Sequence, residues 1–88
     1  QYGPNMSVLV FRDRFTLAEK TSIYSIADTD PVMRVIIDDL NSAEYVSVDD
    51  QQTIDGVDYM ISVDAVDASR RETILAPAIQ NPDDIGPY

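Results

Sequence analysis

The 88-residue chain has no cysteine, no histidine and no tryptophan, and only three glycines. Without Cys there is no disulfide framework, and without Cys and His the common structural zinc sites are closed as well. The same two absences remove the thiol nucleophile and the imidazole base on which most nucleophilic catalysis relies. Basic residues are scarce too: six Lys and Arg stand against sixteen Asp and Glu, a formal charge of −10. Between positions 28 and 67, eleven acids face a single base, Arg34. A grip on a nucleic-acid backbone needs Lys and Arg to displace counterions from phosphates, so direct nucleic-acid binding is not expected. Anionic membranes are disfavoured for the same reason. No run approaches the ~20 apolar residues of a membrane span, and the opening residues do not read as a signal peptide. Residues 1–5 read equally as residues ahead of a native start at Met6 or as a processed terminus.

Length sets the next limit. A chain of this size is one domain at most, and it buries only a little over ~60% of its unfolded surface. Small domains usually add disulfides, a metal or a partner to such a core. With the first closed, and the common zinc sites with it, self-association or docking on a larger assembly is the expected supplement.

What is present is a relay of helix-start signals. Thr16-Leu-Ala-Glu19 spells a capping box, with the Thr hydroxyl accepting from the third helical amide and Glu19 reaching back to the cap amide. The first long helix is expected over 17–27, with Leu17, Ile23, Tyr24, Ile26 and Ala27 on a broad apolar arc that also contains Lys20. Asp30-Pro31 is the clearest start, a good cap followed by a residue pre-set for the first helical position. Val32, Val35, Ile36 and Leu40 then form its stripe, widened by Met33 and Ile37. Asp38 and Asp39, near its C-terminus, read as a solvated face or as partners of Arg12 or Arg14. Residues 44–48 alternate and are β-branched, a short extended connection or minor strand. Asp49 and Asp50 precede a third helix over about 52–62, with Ile54, Val57 and Ile61 as its stripe. Gly56 inside it costs about 1 kcal/mol relative to Ala, which suggests close approach of another backbone. Ser69 and Glu72 form a second capping box for a short last helix ending before Pro77.

The ends read differently. Residues 1–5, with Gly3 and Pro4, read as an extended arm. Ser7-Val-Leu-Val-Phe11 is β-prone and too apolar to be left in water, so a strand or an extended segment laid across the helices is expected, able to add to a partner's sheet. From Ala78 the chain carries Pro82, Gly86 and Pro87 and the pair Asp83-Asp84, an extended tail. The expected fold is mainly α: a small bundle of three to four short helices with extended N- and C-terminal arms and room for one short strand near the N-terminus. The divisions are an arm over 1–10, a helical domain over 11–76 and a tail over 77–88.

Chemistry finds little purchase. The carboxylate pairs Asp38/Asp39 and Asp49/Asp50 are adjacent in sequence, and adjacent residues do not face each other on a helix. Glycosidase-type work needs two carboxyls flanking a sugar-sized cleft, and no enzymatic role is expected. An EF-hand needs Asp-x-Asx-x-Asx-Gly with a closing Glu. Asp28-Thr-Asp30 runs into Pro31, and Asp55-Gly56 lacks the upstream acids, so both read as helix caps. No cofactor or metal site is expected.

Four strings carry a family resemblance: Phe11-Arg-Asp-Arg-Phe-Thr-Leu-Ala-Glu-Lys20, Asp30-Pro-Val-Met-Arg-Val-Ile-Ile-Asp-Asp-Leu40, Asp50-Gln-Gln-Thr-Ile-Asp-Gly-Val57 and Arg71-Glu-Thr-Ile-Leu75. Together they resemble a family of small tailed-bacteriophage proteins encoded among late structural genes, near tail or fibre genes. The resemblance spans residues 11–76. This chain has Phe11 where the family tends to carry Trp, and Ser62-Val-Asp-Ala-Val66 where the family often has an Ala-Gly-Leu turn. The resemblance implies an adaptor or accessory subunit of the virion, made in the bacterial host cytoplasm, whose partners are tail or fibre proteins and further copies of itself. The expected contact surface is Val8, Leu9, Val10, Phe11, Arg12 and Arg14, followed by the tail residues Ile85 and Tyr88. A different class, an acidic inhibitor that imitates nucleic-acid charge to block a host enzyme, is the alternative motivated by the eleven acids.

Overall fold

Side-chain caps start most of the helices. The computed structural model describes residues 2–79, and five α-helices and four two-residue strands occur among them. In chain order these are β1 (Tyr2–Gly3), β2 (Asn5–Met6), α1 (Val8–Arg12), α2 (Leu17–Ala27), α3 (Pro31–Ser42), β3 (Val46–Ser47), α4 (Gln51–Ser62), α5 (Arg71–Ile74) and β4 (Ala78–Ile79). A 3₁₀ turn, Ala68–Arg70, leads into α5. The fold is mainly helical, as expected.

The first departure is α1. The run 7–11, expected to be extended, is a short helix capped by Ser7, whose Oγ accepts from the Val10 amide at 3.1 Å. A strand would have placed Leu9 and Phe11 on one face. The helical turn separates them instead: Phe11 is buried while Leu9 is 69% exposed. Phe11 meets Phe15 edge-to-face, with ring centroids 5.5 Å apart. That contact, with the cap, outweighs the modest β preference of two valines.

The capping box at α2 is formed as read: the Glu19 amide donates to Thr16 Oγ1 at 3.1 Å, and the Thr16 amide to Glu19 Oε1 at 2.7 Å. The apolar arc of α2 is narrower than expected. Ile23 and Ala27 are buried and Ile26 partly so, but Leu17 is 80% exposed and Tyr24 is exposed as well. Lys20, half-buried, lies on the inward ridge with Ile23, where its stem covers apolar surface.

Asp30 caps α3 through the Val32 amide at 3.0 Å. The inward stripe of α3 is rotated from the expected one: Met33 and Ile37 are buried, Ile36 and Leu40 flank them, and Val32 and Val35 are 51% and 57% exposed. Apolar residues cover more of this helix than a domain this small can bury. Arg34 turns back to α2, donating to the carbonyls of Ala27 at 2.7 Å and Asp28 at 2.9 Å, and so closes that helix end.

Residues 2–6 are extended, but they are sewn into the domain on both sides. β1 pairs antiparallel with β4, Tyr2 opposite Ile79 and Gly3 opposite Ala78. β2 pairs antiparallel with β3, Asn5 opposite Ser47 and Met6 opposite Val46. Met6 is fully buried beside Met33, Val57 and Ile74, the other side chains sealed from solvent. No buried polar side chain occurs among the described residues.

Asp50 caps α4 through the Gln52 amide at 3.2 Å. The inward face of α4 is Gly56, Val57 and Met60, with Tyr59 and Ile61 as half-buried flanks. Gly56 is not pressed by another backbone: a Cβ there would sit 3.4 Å from Cγ2 of Ile36, an ordinary contact. After α4 the chain reverses at Asp64, whose φ is 63°, while the Ala65 amide donates to the Met60 carbonyl at 2.9 Å. This is a left-handed helix stop of the kind glycine favours.

The Ser69/Glu72 capping box does not form. Asp67 takes the capping role two residues earlier, accepting from the Ser69 amide at 2.9 Å, and α5 begins at Arg71 without a side-chain cap. Asp and Ser are about equally good caps, and the Asp67 carboxylate adds a negative charge at the positive end of the helix.

Two substitutions test these backbone readings. Gly56→Ala is expected to stabilise by about 0.5–1 kcal/mol, since it removes the helix-interior glycine cost without a clash. Asp64→Gly is expected to gain about 0.5–1 kcal/mol, the left-handed strain relieved less the extra chain entropy of glycine. Urea denaturation midpoints read both.

Candidate binding groove

Helices α3 and α4 are the two longest, and with β3 they border an open groove of about 780 Å³. Its apolar lining comes chiefly from Val32, Ile36 and Leu40 of α3, Val57 and Met60 of α4, and Val46 of β3. Phe11 reaches it from α1 and Tyr45 stands at the edge, 39% exposed. The opening follows from the α3 stripe: its surplus valine at position 32 lies where a further element would pack.

The rim is acidic. Asp39, Asp50 and Asp55 line the groove, and no Lys or Arg does. Their neighbours are neutral donors: Gln52 Nε2 donates to Asp39 at 3.1 Å, Gln51 Nε2 donates to Asp55 at 2.8 Å, and Asp50 accepts from the Gln52 amide. These contacts orient the carboxylates and leave their charge in place. The notion that Asp38 and Asp39 meet Arg12 or Arg14 is not realised, because the arginine side chains are directed elsewhere.

Arg14 is held outside the groove lining, on the end of α5. Its guanidinium donates to the carbonyl of Ile74 at 2.9 Å and to that of Ala76, closing the C-terminus of α5. Partial burial pulls its pKa below the ordinary arginine value. Arg70 in turn donates to Glu19 at 3.0 Å and to the Arg14 carbonyl at 2.7 Å, while Arg71 pairs with Asp58 at 2.7 Å. With Arg34 on the α2 carbonyls, four of the six cations named in the sequence are committed within the chain.

The expected contact residues therefore divide. Val8 and Val10 are half-buried against the core and Phe11 is inside it. Leu9 is exposed, and Arg12 is half-buried with a long 3.5 Å approach to the Tyr24 hydroxyl. Arg14 is occupied as described. Ile85 and Tyr88 lie outside the described residues. The groove itself was missed from sequence, although an apolar set on α3 too wide for one buried face is a legible sign of it.

Besides the Gln52–Asp39 bond, a second polar tie joins the helices that flank the groove: the Tyr59 hydroxyl donates to Asp30. That bond holds Asp30 below the usual carboxylate range and pushes the Tyr59 phenol above its ordinary value. No group of three or more acidic side chains close enough to hold a metal occurs among the described residues. No protein-family model matches the chain, and comparisons with curated proteins and with solved structures gave no match.

Acid should weaken the fold through these ties. For Glu19, partial burial raises the pKa, but the Arg70 hydrogen bond and the Thr16 amide outweigh it and hold the carboxyl low. Asp30 is lowered by Tyr59, Asp58 by Arg71 and Asp67 by the Ser69 amide. A carboxyl depressed in the folded state contributes stability that is complete above its unfolded pKa, about 4, and is lost as pH falls through the lower folded value. Urea midpoints should therefore hold steady in these contributions from pH 7 to about 5 and drop below about 4. Glu19→Gln should flatten that drop.

Proposed function

We propose that the protein is a non-catalytic binding module, an accessory subunit of a tailed-phage virion that holds tail or fibre proteins. The observation that supports this best is the open groove between α3 and α4, whose lining includes apolar side chains the domain leaves in solvent, Val32 and Tyr45. Apolar surface of this kind, in a chain too small to bury it, favours a partner. Leu9 and Arg12 on α1 offer a second point of contact. The phage setting rests on the resemblance over residues 11–76, whose shared positions are largely caps and core. The residues in this sequence that would answer to a tail or fibre surface are then the groove lining and the exposed part of α1. The alpha-helical start at Val8 replaces strand addition as the way that segment would meet a neighbour.

A second reading has its own support. The eleven acids between positions 28 and 67 are exposed, except for half-buried Asp30. A surface of that kind suits an inhibitor that imitates phosphate charge and blocks a host nucleic-acid enzyme.

Mass spectrometry of purified particles separates the two. The adaptor reading expects the chain in virions at a fixed ratio to a tail or fibre protein, with cross-links from α1 or the groove. Absence from particles, together with salt-sensitive capture of a host nuclease or polymerase, would favour the inhibitor instead.

A further inference from the structure

We infer that the groove between α3 and α4 receives a basic amphipathic helix from a partner protein. This deepens the binding-module reading and rests on it. The shape comes first. Each flanking helix has 12 residues, which at 1.5 Å per residue is about 18 Å, the length of about three turns of a docked helix. An amphipathic helix lays residues i, i+3, i+4 and i+7 into such a groove, and the matching apolar surface is supplied by exposed Val32 and Tyr45 and half-buried Ile36 and Leu40, with buried Val57 and Met60 beneath them.

Charge then selects the occupant. The rim presents Asp39, Asp50 and Asp55 with no cation beside them in the lining. A helix with Lys or Arg flanking its apolar stripe would meet these carboxylates at the edge, where such pairs chiefly set orientation, partner choice and association rate. A second copy of this chain is a poor occupant. It brings a formal charge of −10 to an acidic rim. Its Arg14, Arg34, Arg70 and Arg71 are already turned onto its own carbonyls and carboxylates.

The test is a titration of the isotope-labelled protein with a synthetic helix of Leu and Lys, about 12 residues long, its Leu on one face. Controls are the same composition with Leu scattered around the helix, and a Leu/Glu helix with the original Leu pattern. The expected result is that the patterned Leu/Lys helix alone shifts the amides of Val32, Ile36, Tyr45 and Gly56. Raising salt from about 50 to 200 mM should weaken it several-fold. Val32→Ser, at an exposed groove position, should weaken binding several-fold, while Val35→Ser, exposed on the same helix but outside the lining, leaves it unchanged. Replacing Asp39, Asp50 and Asp55 together by Asn keeps the cap and the amide contacts and should also weaken binding several-fold.

Equal binding of the scattered peptide, or shifts spread over the acidic surface away from the groove, would reduce the effect to charge attraction and overturn the inference. Preference for the Leu/Glu helix would overturn it too. So would concentration-dependent dimerisation, by sedimentation, that shifts the same amides without peptide. None of these outcomes alters the particle composition that decides the virion reading, so the two can fail separately.

Discussion

The arginine knot at one end of the domain, Arg14 and Arg70 with Glu19, ties together parts of the chain that sequence keeps far apart. Glu19 belongs to the capping box that starts α2, yet it also receives Arg70 from the 3₁₀ turn before α5. Arg70 reaches the Arg14 carbonyl, and the Arg14 side chain closes the end of α5. One carboxylate thus joins a local signal to a long-range one. A four-residue helix has too few internal hydrogen bonds to persist alone. Held from above by Arg14, α5 can deliver Ile74 to the centre of the core, where it is fully buried.

The knot also has an electrostatic consequence. Arginines held on carbonyls and on Glu19 tie α2 and α5 to the segment after α1, and Arg71 pairs with Asp58 of α4 outside the groove lining, so none balances Asp39, Asp50 and Asp55. Charge is thereby sorted in space: cations inside a structural joint, anions around an apolar groove. The two strand pairs work in the same direction. β1 holds residues 2–3 against β4 and β2 holds residues 5–6 against β3, which places buried Val46 and exposed Tyr45 in the groove lining. A small domain without disulfides closes its core by borrowing its N-terminal segment, and in doing so leaves part of α3 uncovered.

How much of this was legible varied with the range of the interaction involved. The bounds of α2, the capping box of Thr16, the starts of α3 and α4 and the short strand after α3 all follow from residues within four positions of one another. The conformation of α1 is not legible in the sequence because four consecutive apolar residues, 8–11, have no decisive period, and the Phe11–Phe15 contact and the buried side of the turn decide it. Ser69 with Glu72 spells a capping box, yet the cap forms two residues earlier, where the Asp67 carboxylate accepts from the Ser69 amide. The stripe of α3 was correctly identified as apolar but assigned the wrong centre, since four of its six apolar residues can be covered and only the neighbours decide which.

The sequence by itself determined the class of fold, most helix limits, the acidic surface and the lack of thiol and imidazole chemistry, because composition and caps act locally. Tertiary structure decided the rest. It turned the expected docking strand into a helix, drew Arg14 away from the expected contact surface and rotated α3 so that Val32 looks into an open groove. It did so because packing a core this small leaves some apolar surface uncovered, and which surface that is depends on contacts between residues tens of positions apart.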